Sequence, residues 1–261
     1  MDLSVVIVAG DELDLLKESL PAAVRACEGI GHEILVVDNA SRDGAGDWIA
    51  SEFPKVILLA MRERQGLSAA RNIGLEETTG DYVLFVDVDA NLHEDASGVL
   101  LEFMRSKDSA GIVGPKLLYP NGRLQESCRT FQTWGSFLRR GLGLGLPPRD
   151  RQLLKRAREG HEPMQVGWVM GACQIVSRRA IDDVGPMDER FRLYYGDVEW
   201  CHRMWAAGRE VWYVPGAVCT HRYRRRSACF PPRPSTLTHL MEFLRFKKLQ
   251  YQGHERQTSP H

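Results

Sequence analysis

No stretch of this sequence approaches the roughly 20 consecutive apolar residues that a membrane-crossing helix needs. Neither sign of charge dominates, because 34 Lys and Arg balance 34 Asp and Glu. That balance leaves no whole-molecule field for nucleic acid, which is not expected as a partner. The opening apolar run, residues 3–9, is short and flanked by acids where a signal peptide has a basic segment, so none is read there. Pairing among the six cysteines is also missing. Cys27, Cys128, Cys173, Cys201, Cys219 and Cys229 contain no CxxC, which argues against a zinc ribbon or thioredoxin-like site. A chain of 261 residues buries enough core to need no disulfide staples. Reduced thiols and a cytoplasmic enzyme are the expectation.

What is present is an alternation of strand and helix signals. SVVIVAG (residues 4–10) is a short β-branched run ended by glycine, as for a strand buried on both faces. Leu13, Leu16, Leu20, Ala23 and Val24 then share one helical face. HEILVVDNAS is a second strand, residues 43–53 a helix, residues 55–60 a third strand and residues 68–77 another helix. DYVLFVDVDA (residues 81–90) is a fourth strand, and residues 95–105 a further helix. This order predicts an α/β fold with right-handed crossovers and a mainly parallel sheet covered on both faces. Ligands of such sheets sit beyond the carboxyl ends of the strands. Asp38, Asn39, Asp87 and Asp89 close two strands and therefore point toward one crevice.

Asp87-Val88-Asp89 puts two carboxylates on one face of an extended segment, since residues two apart point the same way. Such a pair can hold Mg²⁺ or Mn²⁺ and leave room for phosphate and water. Acidic residues also end strands simply to meet solvent, and it is the crevice position that favours a metal. Asp38 can accept from a ribose or base, and equally can anchor a turn with Asn39, Ser41 and Asp43. GLSAARN (residues 66–72) enters a helix of small residues that lets Arg71 approach a ligand; tight helix–sheet packing would need the same residues. The segment 139–160 gathers glycine, proline and basic residues and is read as a mobile loop with a short basic helix.

Taken in order, VVDNASRDG, GLSAARNIGL, GDYVLFVDVDANL, WVMGA, Arg178-Arg179, VGPMDERF, YYGDVEWCHR and a terminal His221 resemble the inverting family 2 glycosyltransferases of GT-A fold, especially their rhamnosyltransferase-like branch. The resemblance spans residues 4–221. It implies transfer of a sugar from a UDP- or dTDP-linked donor to a hydroxyl, in cell-surface polysaccharide or glycoconjugate synthesis. It implies Asp197 as general base, Asp38, Arg71, Asp87 and Val88 on the nucleotide sugar, and Trp168 and Gly171 on the acceptor side. Asp89 and His221 become ligands of a divalent metal, Mg²⁺ or Mn²⁺. Residues 1–110 become the nucleotide-sugar half, 111–225 the acceptor and catalytic half of the same domain, and 226–261 a basic amphipathic helix and tail.

Three positions depart from that pattern. The Asn-Tyr-Asn type turn after the first strand is Ala9-Gly10-Asp11, the asparagine heading the GLSAARN turn is Arg64, and the glutamate before the base is Gly196. Glu199 is expected to take over that glutamate's work on the acceptor. Gly196 also keeps open a non-catalytic subunit that merely binds the nucleotide sugar. A nucleotidyltransferase would want a glycine-rich, basic phosphate loop after the first strand, and residues 9–14 have none. Arg224 to Arg226 are expected near the leaving phosphates. Beyond Pro231-Pro232, Leu237, Leu240, Met241, Phe243 and Leu244 form an apolar stripe beside Arg245, Lys247 and Lys248. A basic amphipathic helix can lie on an anionic membrane, which would suit a glycan or lipid-linked acceptor at the inner face of the plasma membrane; packing on the domain or a second subunit is the competing reading. Residues 253–261 are read as disordered.

Overall fold

Val5 and Ile7 of the first strand face one side of a sheet and Val6 the other, and all three are buried. That is the environment its unbroken apolar run predicts. The structure, a computed structural model, describes residues 1–222 and 234–258. Its first part runs β1 (Leu3–Ala9), α1 (Leu13–Ala26), β2 (His32–Asp38), α2 (Ala45–Glu52), β3 (Ile57–Ala60), α3 (Leu67–Glu76) and β4 (Tyr82–Asp87). Next come β5 (Ala90–Leu92), α4 (Ala96–Ser106), β6 (Ala110–Leu118), β7 (Cys128–Arg129), α5 (Trp134–Gly141) and α6 (Pro148–Glu159). The chain returns through β8 (Met164–Gln165), β9 (Trp168–Val169), β10 (Cys173–Ser177), α7 (Arg178–Val184), α8 (Gly196–Ala206), β11 (Glu210–His221) and α9 (Pro234–Thr258).

The main sheet has the order β3-β2-β1-β4-β10-β6-β11-β5, with β8 beside β11. The first four strands are parallel, as expected; β10 joins antiparallel and carries the sheet unbroken into the second half. Helices α1, α2 and α4 cover one face, while α3, α7 and α8 cover the other. Gly74 is what lets α3 lie so close: a Cβ there would meet Val6 Cγ1 at 2.5 Å.

Two local differences from expectation bear on the site. The fourth strand stops at Asp87, and the chain turns through Val88 and Asp89 into β5. Strand β5 pairs antiparallel with the end of β11, with Ala90 opposite His221. The turn therefore carries the acids to the histidine. Residues 139–160 hold the end of α5, a turn and the whole of α6, so the expected short basic helix is present and the expected loop is confined to residues 142–147. Phe137 of α5 stacks on Phe243 of α9 at 3.9 Å, and Asp150 of α6 accepts from the N–H and hydroxyl of Thr130. Packing on other elements holds the segment. The expected disorder from Gly253 is also corrected, since α9 continues to Thr258. Arg224 to Arg226, Cys229 and Pro231-Pro232 lie outside the described residues.

Candidate functional site

Beyond the carboxyl ends of β1 and β4 lies a cleft of about 680 Å³. Arg71, Asp87, Val88, Asp89, Trp168, Gly171, Asp197 and His221 all line it. Three donor atoms, one each from Asp87, Asp89 and His221, lie within 4.8 Å of one another. His221 Nε2 is 3.3 Å from Asp89 Oδ1.

The histidine's orientation is set by a residue with no local sequence signal. Gln125 Nε2 donates to the carbonyls of His221 (2.5 Å) and Leu118 (3.2 Å). Those two acceptors fix which end of the amide is oxygen, and Oε1 faces His221 Nδ1 at 2.9 Å. A carboxamide oxygen can only accept, so Nδ1 carries a proton and Nε2, facing Asp89, is the ring nitrogen left to ligate a metal. This is the arrangement in which imidazole ligates a metal. Two carboxylates and one imidazole nitrogen fit a divalent cation.

Asp197 lies in the first turn of α8 and shares the cleft with these acids. The helix begins from a left-handed Tyr195 (φ 61°), a conformation uncommon for a residue with a side chain. Tyr195 is held there by its hydroxyl on Gln132 and its ring against His239, Phe243 and Phe246. Gly171 N–H donates to Asp197 Oδ2 at 2.8 Å, and Val198 N–H to Oδ1 at 2.9 Å. Burial is the largest influence on Asp197 and lifts its pKa above the ordinary aspartate value. The N–H groups and the Arg71 guanidinium pull the other way, and Asp87 adds to the rise. A raised carboxylate is a stronger base than a free one.

Arg71 is buried and donates from one nitrogen to Asp87 Oδ1 (2.5 Å) and the Gly171 carbonyl (2.7 Å). The single residue Gly171 thus ties the base to the guanidinium that orients Asp87. Trp168 is held by its indole N–H on the Thr130 carbonyl (3.1 Å), with Arg129 over its ring.

Two expected residues stand apart from the cleft lining. Glu199 is corrected: it is buried against Arg203, whose Nε reaches both carboxylate oxygens at 2.8 and 3.0 Å. Two residues beyond Asp197 on a helix is about 200° of rotation, so it faces the far side of α8. Asp38 is also buried, and its Oδ1 accepts the Ser41 N–H at 2.9 Å, a turn-anchoring role. Its neighbour Asn39 lines the cleft instead, pinning Gln65 through two hydrogen bonds. Two of the three departures from the family pattern prove to be related. Arg64, which lines the cleft, forms an ion pair of 3.0 Å with Asp11. At Gly196 a Cβ would meet Ser68 Oγ at 2.6 Å, so no side chain fits there as the site stands. Sequence reasoning missed Gln132, Phe137, Tyr194, Tyr195 and His239, which also line the cleft.

Residues 4–185 match the family model described as Glycosyl transferase family 2. The chain belongs to that family. It is 30% identical over 204 residues to N-acetylglucosaminyl-diphospho-decaprenol L-rhamnosyltransferase of Mycobacterium tuberculosis, covering 72% of this chain and 66% of that one. A dTDP-rhamnosyl transferase, RfbF, of Shigella flexneri is 25% identical over 198 residues, covering 72% and 59%. The chain therefore spans just under two thirds of the length of these relatives. Among solved structures, GalNAc-T7 with UDP, GalNAc and Mn²⁺ is similar at TM-score 0.69 and 18% identity, covering 95% of this chain and 48% of the other. The mannosyltransferase PcManGT from Pyrobaculum calidifontis, with GDP-Man and Mn²⁺, gives 0.60 and 19%, covering 86% and 57%. These likenesses establish the GT-A type α/β fold for this family 2 chain.

Proposed function

We propose that this family 2 protein is an inverting, metal-dependent glycosyltransferase that moves a hexosyl or rhamnosyl group from a UDP- or dTDP-linked donor to a hydroxyl. The observation that carries the reading is one cleft lined both by Asp197 and by the Asp87, Asp89 and His221 set. Asp89 and His221 would hold the cation, with Asp87 and Val88 nearer the ribose. When bound, the cation offsets charge on the departing diphosphate. Arg71 keeps Asp87 turned inward, and Asp38, behind the lining, holds the turn from which Asn39 reaches the cleft on the nucleobase side. Trp168 and the Gly171 backbone shape the acceptor side.

The chemistry follows from that pairing of a base with a cation site. The acceptor hydroxyl loses its proton to Asp197 as its oxygen attacks the anomeric carbon. The bond to the leaving phosphate breaks on the opposite face, through an oxocarbenium-like state. One carboxylate opposite the leaving group suffices, so configuration inverts and no covalent nucleophile is needed. Residues 1–110 serve the donor in this reading, and 111–225 the acceptor and catalysis.

A glycan or lipid-linked acceptor in cell-surface glycan synthesis belongs to the same proposal. Its support is the mycobacterial relative, whose name specifies a diphospho-decaprenol substrate. No helix among the described residues is long and apolar enough to cross a membrane. Peripheral contact at the inner face of the membrane, from the cytoplasm, would bring such an acceptor within reach. The five described cysteines are free thiols, which agrees with that compartment.

A donor screen for metal-dependent release of nucleoside diphosphate tests the reading, comparing wild type with Asp197→Asn. Metal-dependent turnover that the substitution abolishes supports it. Turnover that survives removes Asp197 as base, and donor binding without any turnover favours a non-catalytic subunit.

A further inference from the structure

Helix α9 has two apolar faces, and only one of them is covered. His239, Glu242, Phe243 and Phe246 follow i, i+3, i+4, i+7 spacing and point inward, the two phenylalanines being fully buried. Leu237, Leu240, Met241 and Leu244 follow the same spacing on the opposite side and are 61%, 38%, 58% and 45% exposed. Phe243, expected on one stripe with these residues, thus belongs to the packed face. A soluble helix keeps its outer side polar, so the outer stripe calls for a cover.

Charge identifies the cover. Between residues 234 and 250 the one acid is Glu242, and it is turned inward. Exposed Lys248 extends the outer stripe by one more turn, while Arg245 and Lys247 flank it with their charged ends over Phe191 and over Phe243 and Phe246. Helix α5, stacked on α9 through Phe137 and Phe243, adds exposed Trp134 and Leu138. The turn after α5 adds exposed Leu142 and Leu144 and leads into α6, where Arg149, Arg151 and Lys155 are exposed. Leucines and a tryptophan with a mainly basic fringe, Glu159 at the far end of α6 being its exposed acid, match the acyl boundary and headgroups of an anionic bilayer. A protein partner would be expected to meet those cations with acids, and a second copy of this face offers few.

We propose that the outer face of α9, together with α5 and the turn that follows it, docks on an anionic phospholipid surface and holds the cleft mouth at the headgroups. Phe137 and His239, from the inner sides of these same helices, line the cleft. Glu242 carries the position of α9 onward: its carboxylate accepts from the N–H groups of Arg192, Leu193 and Tyr194 at 2.8, 3.4 and 2.6 Å. That loop runs into Gly196 and Asp197. A lipid-linked acceptor could then present its head group to the base without leaving the bilayer; this purpose, though not the docking itself, rests on the function proposed above.

Co-sedimentation with phosphatidylcholine vesicles, with and without about 30% phosphatidylglycerol, is the test. The full chain is compared with the double variant Leu240→Asp, Leu244→Asp, both sites being exposed. Wild type is expected to sediment with the anionic vesicles only, to release as salt is raised, and to lose binding at least tenfold in the variant. Mn²⁺-dependent binding of a nucleoside diphosphate should be the same in both proteins. Failure of wild type to bind anionic vesicles while it still binds the nucleotide overturns the docking surface and leaves the proposed function standing. Equal binding to neutral vesicles overturns the choice of an anionic surface. A concentration-dependent dimer that the double variant dissolves, with no vesicle binding, assigns the face to a second copy instead.

Discussion

The backbone N–H of Gly171 donates to Asp197 Oδ2 at 2.8 Å while the Gly171 carbonyl accepts from Arg71 at 2.7 Å. One peptide segment thus positions the proposed base on one side and, through Arg71, the aspartate at the metal set on the other. A Cβ on this residue would meet Arg71 Nη1 at 2.9 Å and Asp197 Cβ at 3.2 Å, so admitting one displaces the guanidinium or the aspartate.

Gly171→Ala is therefore expected to lower kcat by roughly tenfold to a hundredfold with little change in the fold, because a displacement near 1 Å at a reacting group costs on that scale. Steady-state kinetics beside a circular dichroism melt measures both. An unchanged kcat would show that the bridge plays no part in turnover.

The pH dependence follows from the direction of the Asp197 shift. Burial raises this carboxyl, so it protonates at higher pH than an ordinary aspartate, whose value is about 3.9. Activity should fall as pH drops through that raised value, placing the acid limb of kcat/KM above the ordinary range. Asp197→Asn should remove the limb along with about 10²- to 10⁴-fold of the rate. A wild-type limb at the ordinary value would count against Asp197 as the base.

Gln125→Leu keeps the bulk behind His221 but takes away the acceptor at Nδ1. Loss of such an orienting partner typically weakens a metal site 10- to 100-fold. Titration of Mn²⁺ in the absence of donor, followed by electron paramagnetic resonance, should show that drop. Nitrogen-15 NMR of the imidazole should show the Nδ1–H form lost from dominance.

Gly196→Glu restores the residue of the family pattern, yet it should not raise activity here. Its Cβ would fall 2.6 Å from Ser68 Oγ, which is itself committed to the Phe191 carbonyl at 2.7 Å. Overpacking of this kind costs about 1–3 kcal/mol. Adding Ser68→Ala should recover part of that loss, and chemical denaturation of the single and double variants reads the coupling.

Glu33 gives a stability prediction away from the cleft. Burial alone would raise its pKa, but hydrogen bonds from Ser4 Oγ (2.6 Å) and from Thr79 N–H and hydroxyl (2.6 and 2.9 Å) outweigh it, and the value is lowered. A lowered carboxyl contributes stability that is full above its unfolded value, about 4.3, and is lost as pH falls through the folded one. Glu33→Gln should lie below wild type at neutral pH, with the gap closing below about pH 4. Melting temperatures across that range supply the check.

Much of this protein is written locally. The β-branched runs at residues 4–9 and 82–87 specify strands, because apolar runs of that length admit little else, and the alternation with helices specifies a parallel half-sheet. Asp87 and Asp89 are legible as a pair at a strand end, although a turn through Val88 and Asp89, not a shared strand face, carries them to His221. Asp197 and His221 were readable through the order of family motifs, not from any spacing between them. Tertiary structure alone decided the rest. Gln125 reaches His221 across 96 residues and Arg64 reaches Asp11 across 53, partnerships created only when the sheet brings distant loops to one edge. The reversal of Glu199 and Phe243 has a related cause. A helix pattern states which residues share a face, but only packing against the remainder of the fold determines which face is inside.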